Sequence, residues 1–311
     1  MNFAAVFPGQ GSQSLGMMND LAASHSSIKE TFAEASEILS RDLWEIITDG
    51  PEALLSQTET TQPLMLTAGV ATWRLWQLQG GAMPSAMAGH SLGEYSALVA
   101  SGVIDFTAAV SLVAKRASLM QQAVPDGIGG MAAILGLTSE QVIEGCAKAA
   151  GDQVVEAVNF NSPEQTVIGG HSEAVDRAMV ILGEMGAKRT IKLAMSVPSH
   201  CALLKDIATE MSNALNAAEF QTAQVPVFHN VSASPSDSEQ ACRQAVAEQL
   251  YRPVKWVDTI HALESQGADT IIEFGPGKVL FGLNRRINRK LGNIPINDTA
   301  SFDKALAATQ Q

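Results

Sequence analysis

The stretch MAGHSLGEYSALVASG, residues 87–102, decides the fold because it joins a short apolar run, a glycine-flanked turn and a helix-forming run. Residues 84–88 are predicted to form a strand and residues 93–101 a helix, with GHSLG at 89–93 around the turn. A nucleophilic serine on a strained turn needs this context, because the N–H groups of the following helix then point at the reacting centre. Ser91 is therefore a candidate nucleophile; the alternative is an ordinary loop serine between two glycines.

Predicted strands and helices alternate through much of the rest of the chain. Alternation of this kind is typical of a parallel sheet with helices packed on its faces. The apolar patterns predict strands at 2–7, 225–230 and 270–275, and helices at 20–48 (in two pieces), 62–79, 105–124, 199–218, 238–250, 255–266 and from about 277.

One central stretch has a different order of elements. It follows PDGIGG at 125–130, the best internal break in the chain, and reads βαββαβ, the order of a ferredoxin-like unit. We therefore expect an α/β protein with a large domain, residues 1–126 and 198–311, and an inserted ferredoxin-like small domain, residues 127–197. The strands predicted in the insert are 131–136, 154–160, 165–170 and 187–197, and its helices are 138–151 and 172–186.

Composition and charge argue against several classes of protein. The 311 residues are 46% hydrophobic and 17% charged, which suits a packed chain rather than a disordered one. The net charge of −12 disfavours nucleic acid and anionic membranes as partners. The N-terminus lacks the basic segment of a signal peptide, and no apolar run reaches the ~18 residues of a membrane span. We expect a soluble cytoplasmic protein, and a monomer because no exposed apolar stripe is evident.

The sequence carries no clear metal or nucleotide motif. Its three cysteines, Cys146, Cys201 and Cys242, are too few and too scattered for a disulfide framework or a cysteine-based zinc site. The glycine turn at 9–11 lacks the spacing of a dinucleotide loop, and the chain has no Gly-Lys-Ser/Thr sequence. We expect no cofactor and no metal. The glycine turn at 9–11 is instead well suited to donating a backbone N–H hydrogen bond to an oxyanion.

A nucleophilic serine needs a base, and His200 is the most promising of the six histidines. It lies in SVPSHC, residues 196–201, just after a predicted strand and in the first turn of the helix predicted at 199–218. A helix N-terminus lowers the pKa of a histidine and keeps it neutral. The alternative is a histidine that packs near the helix start without taking part in chemistry. No acidic residue stands out as a third triad member, and a backbone carbonyl orients an imidazole equally well.

Arg116 is the third candidate residue. On the helix predicted at 105–124 it lies against an apolar stripe, between Leu112 and Met120, whereas Lys115 lies outside this arc. An arginine pressed into an apolar face needs a partner, since an unpaired buried charge is costly. Two partners satisfy this need: an acidic side chain in a structural ion pair, or the carboxylate of a substrate held by both guanidinium N–H groups.

Several longer motifs follow one another in the order found in one enzyme family. They are FPGQGSQ (7–13), TQP (61–63), GHSLGEYSALVASGV (89–103), KRASLM (115–120), NFNSPEQTVIGG (159–170), SVPSHC (196–201) and EFGPGKVL (273–280). Together they resemble the malonyl-CoA:acyl carrier protein transacylases nearly from end to end. The likeness is closest to the stand-alone bacterial enzymes of fatty acid synthesis.

The resemblance implies an α/β-hydrolase-like large domain with a ferredoxin-like insert. It also implies that Ser91 is the nucleophile, His200 the base, and Arg116 the group that binds the free carboxylate of a malonyl group. The remaining roles implied are an oxyanion hole formed by the backbone N–H groups of Gln10 and Leu92, a main-chain carbonyl of Gln249 that orients the histidine, and a place for Asn159 in the pocket wall.

The implied activity is ping-pong transfer of the malonyl group from malonyl-CoA to the phosphopantetheine thiol of holo acyl carrier protein, without metal or redox cofactor. Carrier proteins are usually acidic and so is this chain, so docking needs a local basic surface. The basic cluster at residues 285–290 is the best candidate, and a solvated helix face is the alternative. Its members are Arg285, Arg286, Arg289 and Lys290, and the second choice is Lys188 with Arg189.

Three other functions fit parts of the pattern. A serine hydrolase would use the same turn with water as the acceptor. A related acyltransferase would serve polyketide synthesis or malonate decarboxylase. A non-catalytic carrier-binding protein would keep the fold, but an intact set of Ser91, His200 and Arg116 argues against it.

Overall fold

Two β-sheets organise the chain in the computed structural model, which describes residues 1–125, 127–195 and 197–310. The strands are β1 (Phe3–Phe7), β2 (Ala86–Gly89), β3 (Gly129–Leu135), β4 (Val155–Ser162), β5 (Gln165–His171), β6 (Arg189–Lys192), β7 (Val227–Phe228), β8 (Thr270–Phe274) and β9 (Gly292–Ile296). One sheet is parallel, with the order β7-β2-β1-β8-β9. The other is antiparallel, with the order β4-β5-β3-β6. The expected α/β class, with one parallel sheet and a separate second sheet, is confirmed.

The helices mostly begin where the sequence offers a cap. Asp105 accepts a hydrogen bond from the N–H of Ala108 at 3.0 Å, and Thr138 forms a capping box with Gln141. The helices are α1 (Asn19–Ser24), α2 (Ser26–Leu39), α3 (Leu43–Asp49), α4 (Glu52–Leu55), α5 (Thr58–Leu78), α6 (Gly93–Ala100), α7 (Phe106–Ala123), α8 (Ser139–Ala150), α9 (Ser172–Glu184), α10 (Ala208–Ala217), α11 (Glu239–Glu248), α12 (Trp256–Ser265), α13 (Val279–Ile287) and α14 (Thr299–Thr309).

The parallel sheet is buried on both faces, which explains why its strands read as continuous apolar runs. Alternate residues of β1 enter two separate apolar clusters, because side chains alternate across a strand. Phe3 joins the larger cluster with Trp76 of α5, and Ala4 joins the other with Trp256 of α12. The sheet is therefore held between two helical layers, and its loops are the parts left to form a site.

The antiparallel sheet has one face for its own core and one face for the rest of the molecule. Helices α8 and α9 pack on the first face, around Ile134 and Ile168. The second face carries Met131 and Val167, which form a small apolar cluster together with Cys201. This second face is turned toward the loops of the parallel sheet.

Backbone and side-chain contacts join the two sheets along β4. The N–H of Phe160 donates to the carbonyl of Val254, and the N–H of Val254 donates to the carbonyl of Val158, both at 2.9 Å. His90, beside the candidate serine, places Nε2 2.7 Å from Asn161 Oδ1. Its side chain points away from Ser91 and ties the serine turn to the antiparallel sheet.

Several predicted boundaries are wrong. The helix predicted at 199–218 is a short 3₁₀ turn, Ala202–Leu204, followed by α10. Among the described residues of 187–197, the predicted strand is limited to β6, and Ser196 lies outside the described residues. The helical segment at 20–48 is divided into three helices rather than two. Strand β9 and helix α14 were not predicted. No helix among the described residues is both long and apolar enough to cross a membrane.

Candidate active site

The turn between β2 and α6 holds Ser91 in a left-handed backbone conformation, with a φ of 52°. This conformation is unfavourable for a residue with a Cβ. A Cβ at position 89 would lie 1.9 Å from the carbonyl carbon of Gly93, and a Cβ at position 93 would lie 2.1 Å from the carbonyl oxygen of Phe7. Both positions therefore require glycine. The N–H of Ser91 is fixed by Asn230 Oδ1 at 2.7 Å.

His200 lies directly beside Ser91. Its Nε2 is 2.7 Å from Ser91 Oγ, and its Nδ1 is 2.6 Å from the main-chain oxygen of Gln249. Because a carbonyl oxygen only accepts, it keeps a proton on Nδ1 and leaves Nε2 free to accept the proton of the serine. The arrangement therefore suits general-base activation of a hydroxyl.

The surroundings of His200 differ from the predicted helix start. Helix α10 begins at Ala208, and His200 has a φ of 63°. The prediction that a helix N-terminus lowers its pKa is therefore wrong about the cause. Burial, followed by the positive charge of Arg116, lowers the pKa of His200 to about 3, against the raising effect of the Gln249 carbonyl. The imidazole is neutral at physiological pH.

Arg116 extends from α7 into the same site and is 1% exposed. Its Nη1 donates to Gln62 Oε1 at 2.6 Å, and its Nη2 donates to Gln249 Oε1 at 3.0 Å. Nη2 also lies 3.4 Å from Ser91 Oγ. All these acceptors are neutral, and no carboxylate among the described residues forms an ion pair with Arg116. The alternative of a structural ion pair is thus not found in the described chain.

The charge on Arg116 is retained despite its burial. Burial lowers the pKa of the guanidinium, but the ordinary value is so high that arginine stays protonated. Its Nε has no hydrogen-bond partner among the described residues. Arg116 is thus a buried cation whose hydrogen-bond acceptors among the described residues are neutral and whose guanidinium lies over the Tyr95 ring. Such a site favours an anionic ligand.

Two backbone N–H groups border the site next to Ser91. Gln10 follows β1, Leu92 follows the serine, and both line the same cavity as Ser91. The two segments pass closely: a Cβ on Gly9 would lie 2.4 Å from the carbonyl oxygen of His90. Within the described ranges, neither the Gln10 nor the Leu92 N–H donates to a backbone acceptor. Both are therefore available to a ligand.

A cavity of about 190 Å³ connects these groups. The loops of the parallel sheet contribute its polar side, and the antiparallel sheet contributes a mainly apolar wall. Wall residues include Met131, Ala133, Val167 and the buried Asn159. Across residues 1–125, 127–195 and 197–310, no three His, Cys, Asp or Glu side chains are grouped so as to hold a metal ion.

The basic cluster lies on and just after α13, next to the cavity. Arg286 Nη1 donates to Gln165 Oε1 at 2.7 Å, and Gln165 lines the cavity. Arg285, Arg289 and Lys290 are exposed. In the second basic pair, Lys188 forms a 3.0 Å ion pair with Glu164, and Arg189 is exposed.

Some polar residues of the site were not predicted. Gln62 holds Arg116, and Glu94 and His229 form a buried pair behind the serine turn. Gln62 and Glu94 stand in the quoted motifs TQP and GHSLGEYSALVASGV, but nothing in those motifs shows which side chains they meet. Their roles depend on contacts between residues far apart in sequence.

The fold and the site place the chain among the acyltransferases. Residues 5–292 match the family model of the acyl transferase domain. Curated relatives from Salmonella typhimurium and Escherichia coli are each 50% identical over 304 residues, which cover 98% of this chain and 98% of the relative. Both are named malonyl CoA-acyl carrier protein transacylase. The chain belongs to the family of malonyl CoA-acyl carrier protein transacylases.

Solved structures agree with this placement. An acyl carrier protein S-malonyltransferase from Vibrio cholerae is 51% identical with a TM-score of 0.95, covering 98% of this chain and 99% of that one. A malonyl-transacylase solved in complex with its type II PKS acyl-carrier protein is 50% identical with a TM-score of 0.98, covering 99% of this chain and 100% of that one.

Proposed function

We propose that this chain transfers a malonyl group from malonyl-CoA to the phosphopantetheine thiol of an acyl carrier protein through a malonyl-serine intermediate. The observation that carries this proposal is the buried Arg116, with Nη2 3.4 Å from Ser91 Oγ and no acidic partner in the described chain. In a malonyl group, one methylene separates the carboxylate from the thioester carbonyl. A carboxylate bound by Arg116 therefore brings the carbonyl carbon to Ser91.

In the first half-reaction, Ser91 Oγ attacks the thioester carbonyl carbon while its proton passes to His200 Nε2. The 2.7 Å contact between these atoms supports this transfer. The N–H groups of Gln10 and Leu92 stabilise the tetrahedral oxyanion, and one such donor is typically worth ~3–4 kcal/mol. The carbon–sulfur bond then breaks, and the CoA sulfur takes the proton from His200. Malonyl-serine remains.

In the second half-reaction, the carrier-protein thiol gives its proton to His200 and attacks the carbonyl carbon of malonyl-serine. The same two N–H groups stabilise the second oxyanion. The bond to Ser91 Oγ breaks, and the serine recovers its proton from His200. The Gln249 carbonyl, 2.6 Å from Nδ1, stabilises the imidazolium that forms in each half-reaction.

Arg116 gives the site its selectivity for an acidic acyl group. An acetyl group would fill part of the cavity and leave the guanidinium without an anion. Leaving a buried charged group unsatisfied is costly, so malonyl transfer is favoured. Asn159 contributes to the wall around the acyl group.

The fold names implied by the sequence belong to this proposal too. The strand–turn–helix around Ser91 supports an α/β-hydrolase-like large domain, residues 1–126 and 198–311. The strand order β4-β5-β3-β6 with two helices on one face supports a ferredoxin-like small domain, residues 127–197. Asp126, Ser196 and Gln311 lie within these ranges but outside the described residues.

The basic cluster at residues 285–290 is the proposed docking surface for the carrier protein. Its support is position: Arg286 contacts Gln165 in the cavity wall. The solved malonyl-transacylase with its type II PKS acyl-carrier protein supports a carrier protein as the partner. Reversing the charges of Arg285 and Arg286 is expected to raise KM for carrier protein about tenfold and leave KM for malonyl-CoA unchanged. A change in both KM values or in neither would reject this surface.

The malonyl-transacylase solved with its type II PKS acyl-carrier protein favours a second candidate pathway. In that pathway, the malonyl group supplies a polyketide synthase. The chemistry of the site is identical in both pathways, and only the carrier protein differs. Comparison of kcat/KM for carrier proteins of the two pathways distinguishes them.

The test of the main proposal is direct observation of the intermediate. The protein is incubated with labelled malonyl-CoA, and the mass on Ser91 is measured by mass spectrometry after proteolysis. Addition of holo carrier protein is expected to remove the label from Ser91 and transfer it to the carrier. Absence of malonyl-serine would contradict the proposal, and rapid release of free malonate without carrier protein would indicate a hydrolase.

A further inference from the structure

A buried acidic residue lies behind the Ser91 turn, one hydrogen bond away from the residue that orients His200. We propose that Glu94, with His229, is a positioning residue that fixes the polarity of the Gln249 side-chain amide and thereby the position of Arg116. The inference rests on the proposed malonyl transfer and deepens it, since it explains what keeps the carboxylate-binding group in place.

Glu94 is fully buried in the first turn of α6 and has polar partners on both carboxylate oxygens. Its Oε2 accepts from Gln249 Nε2 at 2.7 Å and from the N–H of Asn230 at 3.1 Å. Its Oε1 lies 2.7 Å from His229 Nδ1. Asn230 also accepts from the N–H of Ser91, so the carboxylate is linked to the serine turn as well as to Gln249.

Gln249 connects this acid to every reacting group. Its main-chain oxygen faces His200 Nδ1 at 2.6 Å. Its side-chain Nε2 donates to the main-chain oxygen of Ser91 at 3.0 Å, and its Oε1 accepts from Arg116 Nη2 at 3.0 Å. Gln249 therefore contacts the main chain of Ser91 and the guanidinium of Arg116 through its side-chain amide, and His200 through its main-chain oxygen.

The amide of Gln249 has two orientations with the same shape and opposite polarity. In the observed one, the NH₂ group faces two acceptors, Glu94 and the Ser91 carbonyl, and the oxygen faces Arg116. The reversed one would set NH₂ against a guanidinium and oxygen against a carboxylate. Because carboxylate and carbonyl oxygens accept, Glu94 together with the Ser91 carbonyl selects the orientation that gives Arg116 an acceptor.

His229 is the charged partner of Glu94 in this buried pair. The two side chains are 1% and 0% exposed, and their contact is 2.7 Å long. Burial lowers the pKa of His229, but its hydrogen bonds with Cys242 and Glu94 raise it to about 10. The histidine is therefore protonated at neutral pH and places a positive charge beside the Glu94 side chain.

Replacement of Glu94 by glutamine tests the inference. Glutamine has nearly the same shape, but its side chain carries one acceptor oxygen and one NH₂ donor in place of two acceptor oxygens. Malonyl-serine and acetyl-serine formation from the two CoA thioesters is measured in the absence of carrier protein. We expect Glu94→Gln to lower the ratio of malonyl to acetyl kcat/KM about tenfold, the usual effect of disturbing a hydrogen bond to a charged group. A folded Glu94→Gln protein with the parent ratio would overturn the inference.

A matched control separates positioning from general stability. Glu273 is also a fully buried carboxylate, and it accepts from the N–H groups of Leu280 and Phe281 at 3.1 and 2.7 Å, outside the cavity. Glu273→Gln is expected to lower the melting temperature and leave the malonyl-to-acetyl ratio unchanged. An equal fall in the ratio with this control would assign the effect of Glu94 to stability and overturn its positioning role.

The remaining outcomes are also decisive. If Glu94→Gln does not fold, His229→Gln carries the test, because it keeps a donor to Glu94 but removes the positive charge. A fall in the same ratio of about threefold is expected for it, and an unchanged ratio would overturn the inference. Absence of malonyl-serine in the parent protein would overturn the proposed function itself, whereas an adduct with unchanged ratios in the variants would overturn this inference alone.

Discussion

The two sheets meet at one cavity but contribute to it in different ways. The parallel sheet and the segments packed around it contribute the turn with Ser91, the loop with His200 and helix α7 with Arg116. They also contribute the backbone N–H groups of Gln10 and Leu92. The antiparallel sheet contributes one of its faces, with Met131 and Val167 among the wall residues. Among the described residues that line the cavity, those of the antiparallel sheet include no titratable side chain.

The difference follows from strand geometry. Parallel strands end at a common edge, where their loops and the N-termini of following helices converge, so groups distant in sequence meet there. A strand of an antiparallel sheet presents alternate side chains on a regular face, which suits a wall of defined shape. We therefore expect substitutions on the parallel side to change the rate of acyl transfer strongly. Substitutions on the antiparallel side should instead change which acyl groups fit the cavity.

The largest effect is expected for His200→Ala, which removes the proposed base. The rate of malonyl-serine formation should fall about 10⁴-fold, since the remaining N–H donors and substrate contacts still give some catalysis. His261→Ala on α12 is the control, because His261 is exposed and lies outside the cavity. A fall of less than about tenfold for His200→Ala would show that the chemistry does not depend on His200. The assignment of the reacting groups to the parallel side would then be wrong.

A smaller but more selective effect is expected for Arg116→Ala. Loss of a buried charged contact to the substrate should lower malonyl kcat/KM by about 10²–10³-fold and raise acetyl transfer relative to malonyl transfer. The neighbouring Lys115→Ala is the control, because Lys115 is exposed and pairs with Glu210. Unchanged selectivity in Arg116→Ala would remove the carboxylate-binding role.

Local patterns predicted the parts of this site that depend on nearby residues. GHSLG predicted the turn because the glycines, the strand and the helix are all adjacent in sequence. The helix caps at Asp105 and Thr138 also depend on residues three positions apart. The position of Arg116 against an apolar face followed from helical periodicity alone, and the residue is buried.

Contacts between distant residues could not be predicted in this way. The residues at 199–207 keep apolar helical spacing, yet the N–H of His200 donates to the carbonyl of Leu250, and its backbone is left-handed. The Glu94–His229 pair spans 135 residues, so no local pattern reveals it. Strand β9 is a half-buried edge strand that contains Pro295, and α14 has Ser301 where a capping box usually has Glu or Gln.

The pH dependence of the first half-reaction tests the buried setting of His200. Its pKa is lowered to about 3, so the neutral base persists until the pH falls to that region. From about pH 7.5 to about pH 5.5, the rate should fall less than about twofold, whereas a histidine of ordinary pKa would lose about tenfold. The folded state should also lose stability as the pH falls from about 6.5 toward 3, because the unfolded chain binds this proton more readily. A rate midpoint near pH 6.5 would show that the base is solvated.

The smallest effect is expected on the antiparallel side, from Val167→Ala. Val167 is 5% exposed on the cavity face of β5, so its truncation should cost about 1–2 kcal/mol of folding free energy. Malonyl kcat/KM should change less than about threefold, while transfer of the bulkier methylmalonyl group should increase relative to malonyl. Val175→Ala in α9 truncates a residue that packs against the opposite face of the same sheet. This variant should lower stability without changing the preference between methylmalonyl and malonyl groups. If Val167→Ala lowered malonyl transfer as strongly as Arg116→Ala, the antiparallel sheet would take part in the chemistry, and the division between a reacting side and a shaping wall would fail.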